Sequence, residues 1–193
     1  VAVNEVVLQS LTGFPGFGDP IALYDQLSDR YIVTEFLIKG YNGSVENGMS
    51  MMVSQTGDPT GSWYVYKWVI PEDFTLDYPK WAVWSDGIYM HTNNFSQTTG
   101  SYQSSYFAVF NKDDMYSGAA TFRSIRITQS IGNGYATCPA QLQGSTVPAG
   151  GQLFITENNS NQATVIACNT NWTTSTMTQS TAANITLTSF NET

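Results

Sequence analysis

Carboxylate side chains are the residues of this sequence with the clearest potential for chemistry, because most glycoside hydrolases work with a pair of them. Ser28-Asp29 and Ser85-Asp86, however, occupy the same position in two similar segments. A residue repeated in this way is better explained by turn formation, in which the carboxylate accepts a backbone hydrogen bond, than by a single catalytic role. We therefore predict no catalytic residue and interpret six candidates as structural: Asp19, Asp25, Asp29, Glu35, Asp77 and Asp86.

Metal ligands are scarce in this sequence. His91 is the single histidine and no Cys-x-x-Cys motif is present, so a zinc site with three or four nitrogen or sulfur ligands is not expected. We predict that His91 is a solvated or hydrogen-bonded strand residue. Calcium is the better candidate, because Asp73, Asp113 and Asp114 fall in predicted loops, but the EF-hand spacing is absent and solvated turn aspartates are the simpler interpretation. We expect no cofactor, with calcium as the open alternative.

Several features favour an exported protein. The sequence begins at Val1, as a mature chain would after removal of a signal peptide, although a shortened chain looks the same. Cys138 and Cys168 form an even pair, from which we predict one disulfide, with two buried thiols as the alternative. The motif Asn-x-Ser/Thr predicts glycosylation at six positions: Asn42, Asn94, Asn158, Asn171, Asn184 and Asn191.

The distribution of charged and of apolar residues argues against nucleic-acid binding and against a membrane-spanning helix. The net charge is −8, and the seven basic residues are scattered along the chain, so a nucleic-acid footprint is absent. No apolar run approaches the roughly 20 residues of a membrane-spanning helix. Charged residues make up 11% of the chain, and uncharged polar residues replace them, which suits a surface outside the cell. We expect a secreted or cell-surface protein.

Short β-branched and aromatic runs, separated by turn residues, predict strands along the whole chain. The first four are Ile21–Tyr24, Tyr31–Ile38, Met49–Gln55 and Trp63–Ile70. This four-strand pattern then recurs, and the prolines at 20, 79 and 139, separated by 59 and 60 residues, mark the start of each unit. The repeat predicts three similar four-stranded units.

A four-stranded antiparallel unit repeated in this way is typical of propeller blades. We predict an all-β, propeller-like fold of about three blades with an extra N-terminal strand, and a sandwich of some twelve strands is the alternative. The predicted ranges are an N-terminal strand and loop over 1–18, and blade-like repeats over 19–75, 76–130 and 131–193.

Three motifs carry a resemblance to a known family. DPIALYDQLSDRYIVTEF (Asp19–Phe36), VSQTGDPTGSWYVYKW (Val53–Trp68) and LDYPKWAVWSDGIYMHTNNF (Leu76–Phe95) resemble, in this order, a family of large exported bacterial propeller-type proteins. The resemblance implies a propeller fold and export, and it brings no catalytic set with it. Members of the family continue through further blades, whereas three are found in this sequence.

Three blades are too few to close a ring, since propellers use about four to eight. Open sheet edges recruit partners, and Val3, Val6, Val7 and Leu8 lie in a predicted strand, Val1–Ser10, that could pair with a neighbouring copy. We therefore predict a secreted, glycosylated structural or adhesive subunit that assembles with itself as a filament or other oligomer. The alternative is a carbohydrate-binding or glycan-cleaving propeller domain, because the alternating aromatics of Trp63–Trp68 could stack on sugar rings.

Overall fold

The computed structural model describes residues 18–41, 43–130, 135–144, 146–159 and 161–188, and these residues form three four-stranded antiparallel sheets. In each sheet the strands lie side by side in chain order. Sheet 1 contains β1 (Ile21–Asp25), β2 (Arg30–Leu37), β3 (Asn47–Ser54) and β4 (Trp63–Ile70). Sheet 2 contains β5 (Phe74–Val83), β6 (Ile88–Ser96), β7 (Tyr102–Phe110) and β8 (Ser124–Ser130). Sheet 3 contains β9 (Cys138–Pro139), β10 (Gln152–Asn159), β11 (Gln162–Asn171) and β12 (Thr176–Thr186).

The predicted all-β class and its four-stranded antiparallel units are confirmed. Trp63–Ile70 was predicted with the bounds that β4 has, and the other strands of sheet 1 differ from their predicted ends by one or two residues. One element was not predicted: the short helix α1, Lys112–Tyr116, which follows β7. Asn111 caps this helix by accepting a hydrogen bond from the backbone N–H of Asp114. Five residues are too few to show helical periodicity in a sequence.

Tight turns join the strands through side-chain acceptors. In the β3–β4 turn, Asp58 Oδ1 accepts hydrogen bonds from the backbone N–H and the hydroxyl of Thr60, at 2.9 and 2.7 Å. In the β11–β12 turn, Asn171 Oδ1 accepts from the N–H groups of Thr173 and Thr174. Asp and Asn are favoured in such turns because their short side chains satisfy backbone donors two or three residues ahead.

The repeated prolines coincide with irregular backbone at the start of the first two sheets. Asp19 and Tyr78, which precede Pro20 and Pro79, both have positive φ, at 48° and 53°. In β5 this irregularity is a bulge, since the pairing with β6 shifts between Asp77 and Lys80. A bulge accommodates a proline within a strand because the extra residue needs no ladder hydrogen bond.

Sheet 2 lies between the other two sheets. Ile88 and Met90 point to one side and belong to the core shared with sheet 1, whereas Tyr89 belongs to the core shared with sheet 3. Phe107 also faces sheet 3, and its ring lies 5.0 Å from that of Phe154. Successive residues of a strand face opposite sides, so β6 and β7 contribute to two cores at once.

Truncating the middle sheet should therefore be costly. Phe107 is fully buried, and Phe107→Ala should lower the free energy of unfolding by about 3–5 kcal/mol. Val45, in the β2–β3 loop, is 81% exposed, and Val45→Ala should change stability by no more than about 0.5 kcal/mol. Urea denaturation followed by tryptophan fluorescence measures both. Equal effects of the two substitutions would contradict the two-core arrangement.

Candidate functional site

The candidate carboxylates lie in separate hydrogen-bond networks. Asp25 accepts from Lys112 Nζ at 3.1 Å and from Tyr116 OH at 2.9 Å, both on α1. Asp29 accepts from Tyr24 OH at 2.8 Å within its own hairpin. Asp86, Glu35 and Asp77 accept, respectively, from Tyr89 OH, from the N–H of Gly18 and from the N–H of Tyr78. The partners of these five carboxylates are thus uncharged groups or a lysine.

Asp25 performs the turn role that the sequence assigned to Asp29. Its Oδ1 accepts from the N–H groups of Leu27 and Ser28, at 2.9 and 3.2 Å, while Oδ2 receives Lys112 and Tyr116. The side chains of Asp25 and Lys112 are 2% and 8% exposed. Burial raises the pKa of Asp25, but the charge of Lys112 and the hydrogen bonds together lower it by more. The pKa of Asp25 therefore lies below its ordinary value. This buried ion pair joins the end of β1 to the helix of the second unit.

Asp86 joins the second and third units. Tyr89 OH donates to its carboxylate and lies 2.7 Å from Thr170 Oγ1, and Trp172 Nε1 donates to the Asp86 carbonyl at 2.8 Å. Burial raises the pKa of Asp86, although the hydrogen bond from Tyr89 opposes this. Asp25 and Asp86 are therefore in different environments, and both contribute to structure.

The three aspartates that are candidate calcium ligands are paired with basic side chains or lie in the first turn of α1. Asp73 pairs with Lys39 at 3.3 Å, and Asp114 receives Nε and Nη2 of Arg123, which holds the pKa of Asp114 below its ordinary value. Asp113 lies in the first turn of α1. Within the described ranges, no three His, Cys, Asp or Glu side chains are grouped so that they could hold a metal ion.

His91 lies in the interior of the protein. It is fully buried in β6, and its ring packs edge-on against Phe107 with a centroid distance of 4.9 Å. The prediction allowed a solvated strand histidine, and burial excludes solvation. The packing of His91 places it in the layer between sheets 2 and 3.

The predicted disulfide between Cys138 and Cys168 is not formed in the structure, which contains both residues as free thiols. Cys138 pairs with Ile155 and Cys168 with Gln152, from opposite edges of β10. Two strand spacings amount to about 10 Å, whereas a disulfide tolerates a Cα separation of about 4.4–6.8 Å. Because Ile155 and Gln152 are three residues apart, the two cysteines also lie on opposite faces of sheet 3. The even number of cysteines in the sequence carries no information about this pairing of the strands.

The structure places the predicted glycosylation residues in different environments. Asn171 and Asn184 are exposed, so a glycan has room there. Asn94 is fully buried, and its amide donates to Ser104 Oγ at 2.9 Å while its oxygen accepts from Thr92 at 3.0 Å. The folded chain therefore has no room for a glycan at Asn94. Asn158 lies in β10, whereas Asn42 and Asn191 lie outside the described residues.

The two terminal sheets each have one outward face with exposed apolar side chains. On sheet 1, the edge-strand residues Tyr24 and Val69 are 39% and 40% exposed on the face opposite the core, whereas Met52, on the same face of β3, is buried. On sheet 3, Ile155 and Ile185 are 47% and 45% exposed on the face opposite Phe154. We call these surfaces the outer faces. The predicted assembly strand (Val3, Val6, Val7 and Leu8) lies outside the described residues.

A cleft opens at one end of sheet 2, where the β2–β3 loop of sheet 1 reaches it. Its volume is about 420 Å³, within the range of ligand-binding pockets. The β2–β3 loop, the start of β5 and the β6–β7 turn line this seam cleft with Lys39, Tyr41, Thr75, Asp77, Phe95, Ser96, Gln97 and Gly100. Of these residues, only Asp77 was considered from the sequence. Tyr41, an aromatic residue beside Gly40 in a loop, was a signal that could have pointed to this place.

Comparisons of the chain with protein-family models, with curated proteins and with solved structures found no match. The resemblance inferred from the motifs therefore stays a prediction. In the described part of the chain, no helix is long and apolar enough to cross a membrane.

The buried ion pair makes stability depend on acid. At neutral pH, Asp25→Asn should lower the free energy of unfolding by about 3–5 kcal/mol, because the buried Lys112 ammonium loses its charged partner. The folded-state pKa of Asp25 lies below 3.8, so the stabilisation is complete above that pH and is lost as the pH falls through the folded-state value. Denaturant titrations over a pH series measure this difference.

Asp58→Asn is the matched control for this experiment, since Asp58 is also a turn acceptor but is exposed. Its effect should be small at every pH. A large effect of Asp25→Asn that did not shrink on acidification would show that packing, and not charge, makes the Asp25 site important.

The two thiols should react differently. Cys138 is exposed, whereas Cys168 is fully buried, and burial raises the pKa of Cys168 to about 12. Because the thiolate is the reactive form, iodoacetamide at neutral pH should label Cys138 in the native protein and leave Cys168 unmodified. After unfolding without reductant, both should be labelled, as peptide mass mapping will show. Recovery of the Cys138 and Cys168 peptides linked to each other would show that the protein forms the disulfide.

Proposed function

We propose that this protein is a secreted, glycosylated structural subunit that assembles with copies of itself through its terminal sheets. The observation that carries the proposal is the difference between β6 and β7 of sheet 2, which are buried on both faces, and the outer faces, on which Ile155 and Ile185 are nearly half exposed. Exposed apolar surface of this kind marks interaction sites. A second copy offers a matching surface, because the sheets of this chain pack face to face with one another.

We also propose that the three sheets are arranged as propeller-like blades. Support comes from their first strands: β1 contacts β5, and β5 contacts β9, as the innermost strands of neighbouring blades do around a common axis. The loops at this inner end are also joined, since Gln26 Oε1 accepts from the N–H of Gly144 at 2.8 Å and Gln141 Oε1 from the N–H of Val83 at 3.0 Å. Two copies would supply six blades, a number within the usual range.

Export and glycosylation are supported by composition and by exposure. Charged residues are few, and Asn171 and Asn184 present their sequons at the surface of sheet 3. Strand edges complement the outer faces, because in the described residues each sheet has two edge strands that pair with one strand only, and such edges recruit partners. An adhesive role requires a ligand-binding surface in addition to the assembly contact.

Introducing a charge on the outer face of sheet 3 should break the assembly. Light scattering coupled to size exclusion should give the unmodified chain a mass that is a multiple of 21.2 kDa. Ile155→Asp should reduce it to the monomer, because an unpaired carboxylate would have to be buried in the contact. Val45→Asp, which places the same charge in the exposed β2–β3 loop, should leave the oligomer intact.

A monomer of the unmodified chain at every concentration tested would contradict the proposal. An oligomer that Ile155→Asp and Val45→Asp leave equally intact would instead exclude this face as the contact. Circular dichroism of each variant shows whether the sheets are retained, so that unfolding is not mistaken for dissociation.

A further inference from the structure

The walls of the seam cleft are held in place by a buried amide. Asn47 is 3% exposed, and its Oδ1 accepts from the backbone N–H of Lys39 at 2.8 Å and from Gln97 Nε2 at 2.9 Å. The N–H of Gln97 donates in turn to the carbonyl of Asp73 at 3.1 Å. The β2–β3 loop and the β6–β7 turn are therefore tied together across the seam before any ligand arrives. Such preorganisation lowers the entropic cost of binding.

The charges around the cleft do not favour an ionic ligand. Among the described residues, the lining contains one cation, Lys39, whose ammonium pairs with Asp73 at 3.3 Å. It contains one carboxylate, Asp77, within the same described part of the chain. With these charges nearly balanced and a net charge of −8 on the whole chain, an anion such as a phosphate ester has no attractive field here. A cation would find a single carboxylate. The electrostatics thus favour a neutral ligand.

The remaining lining combines aromatic surface with hydrogen-bonding groups. Tyr41 is 52% exposed, and Phe95 is half-buried, with its ring packed edge-on against Tyr102 at 5.8 Å. Thr75 and Ser96 add hydroxyl groups. A ligand that matches both kinds of surface needs an apolar face for the aromatic rings and many hydroxyl groups for the polar wall.

We propose that the seam cleft binds a neutral saccharide. Tyr41 and Phe95 supply the surface on which the C–H face of a sugar ring packs, and Asp77 accepts hydrogen bonds from sugar hydroxyls, which a charged acceptor strengthens. We propose binding rather than cleavage, because glycoside hydrolysis by the usual route requires two carboxyl groups and the described residues of the lining include one. This site is separate from the outer faces of the proposed assembly.

The test is an array of neutral oligosaccharides of glucose, mannose, galactose and N-acetylglucosamine, with sulfated glycans as the charged comparison. The protein should bind at least one neutral probe and not the sulfated ones. Calorimetry with the best neutral probe should show that Tyr41→Ala weakens binding about tenfold, whereas Tyr41→Phe, which keeps the ring, should retain most of the affinity. Asp77→Asn should weaken binding as well, since it removes the charged acceptor.

Tyr135→Ala is the matched control, because Tyr135 is 54% exposed but is not among the residues that line the cleft. The Tyr135→Ala variant should bind the saccharide probe as tightly as the unmodified chain does. The proposal is overturned if no neutral probe binds, if the sulfated probes bind instead, or if Tyr41→Ala and Tyr135→Ala have the same effect. Light scattering keeps this result apart from the assembly proposal, since Tyr41→Ala should leave the oligomer unchanged whatever it does to binding.

Discussion

Two-sided burial of β6 and β7, the inner strands of sheet 2, is the constraint on which the rest of this structure depends. A strand buried on both faces has no solvent side on which to place polar residues, so each of its side chains must be apolar or hydrogen-bonded within the protein. β6 meets this requirement in two ways. Ile88 and Met90 fill the core with sheet 1, whereas Asn93 and Asn94 are buried with partners in β7. The middle unit therefore differs in character from its neighbours, although the three share one repeat.

The same constraint explains where charge is buried. The units are joined at their turns and not only through their cores, and the β1–β2 turn meets α1 at a place that water scarcely reaches. Asp25 satisfies two backbone donors of its own turn and two side chains of the helix, so one carboxylate fixes both the turn and the docking of the next unit. A buried pair of this kind is weak evidence for net stability, but it defines a single arrangement of the groups that it joins.

Sequence patterns predicted the strands of this protein well and its long-range contacts poorly. Alternation and turn residues act locally, which is why β4 could be predicted directly from the sequence. The separation of Cys138 from Cys168 depends on the register of β10, and the burial of Asn94 depends on which sheets cover β6. Neither fact is contained in a spacing or a motif. The seam cleft was missed for the same reason, because its walls come from loops of two different units.

The position of the seam cleft has a consequence for the two proposals taken together. The cleft is lined by the β2–β3 loop of sheet 1 and by residues of sheet 2 in the same chain, whereas the outer faces belong to sheets 1 and 3. Assembly through the outer faces therefore leaves one complete cleft on each copy. Sites repeated along an assembly bind a repeated ligand with an affinity far above that of one site, provided that the spacing allows simultaneous contact. A shallow cleft with one aromatic wall and a few polar groups is weak alone, and its repetition on an oligomer is what would make a saccharide surface adhesive.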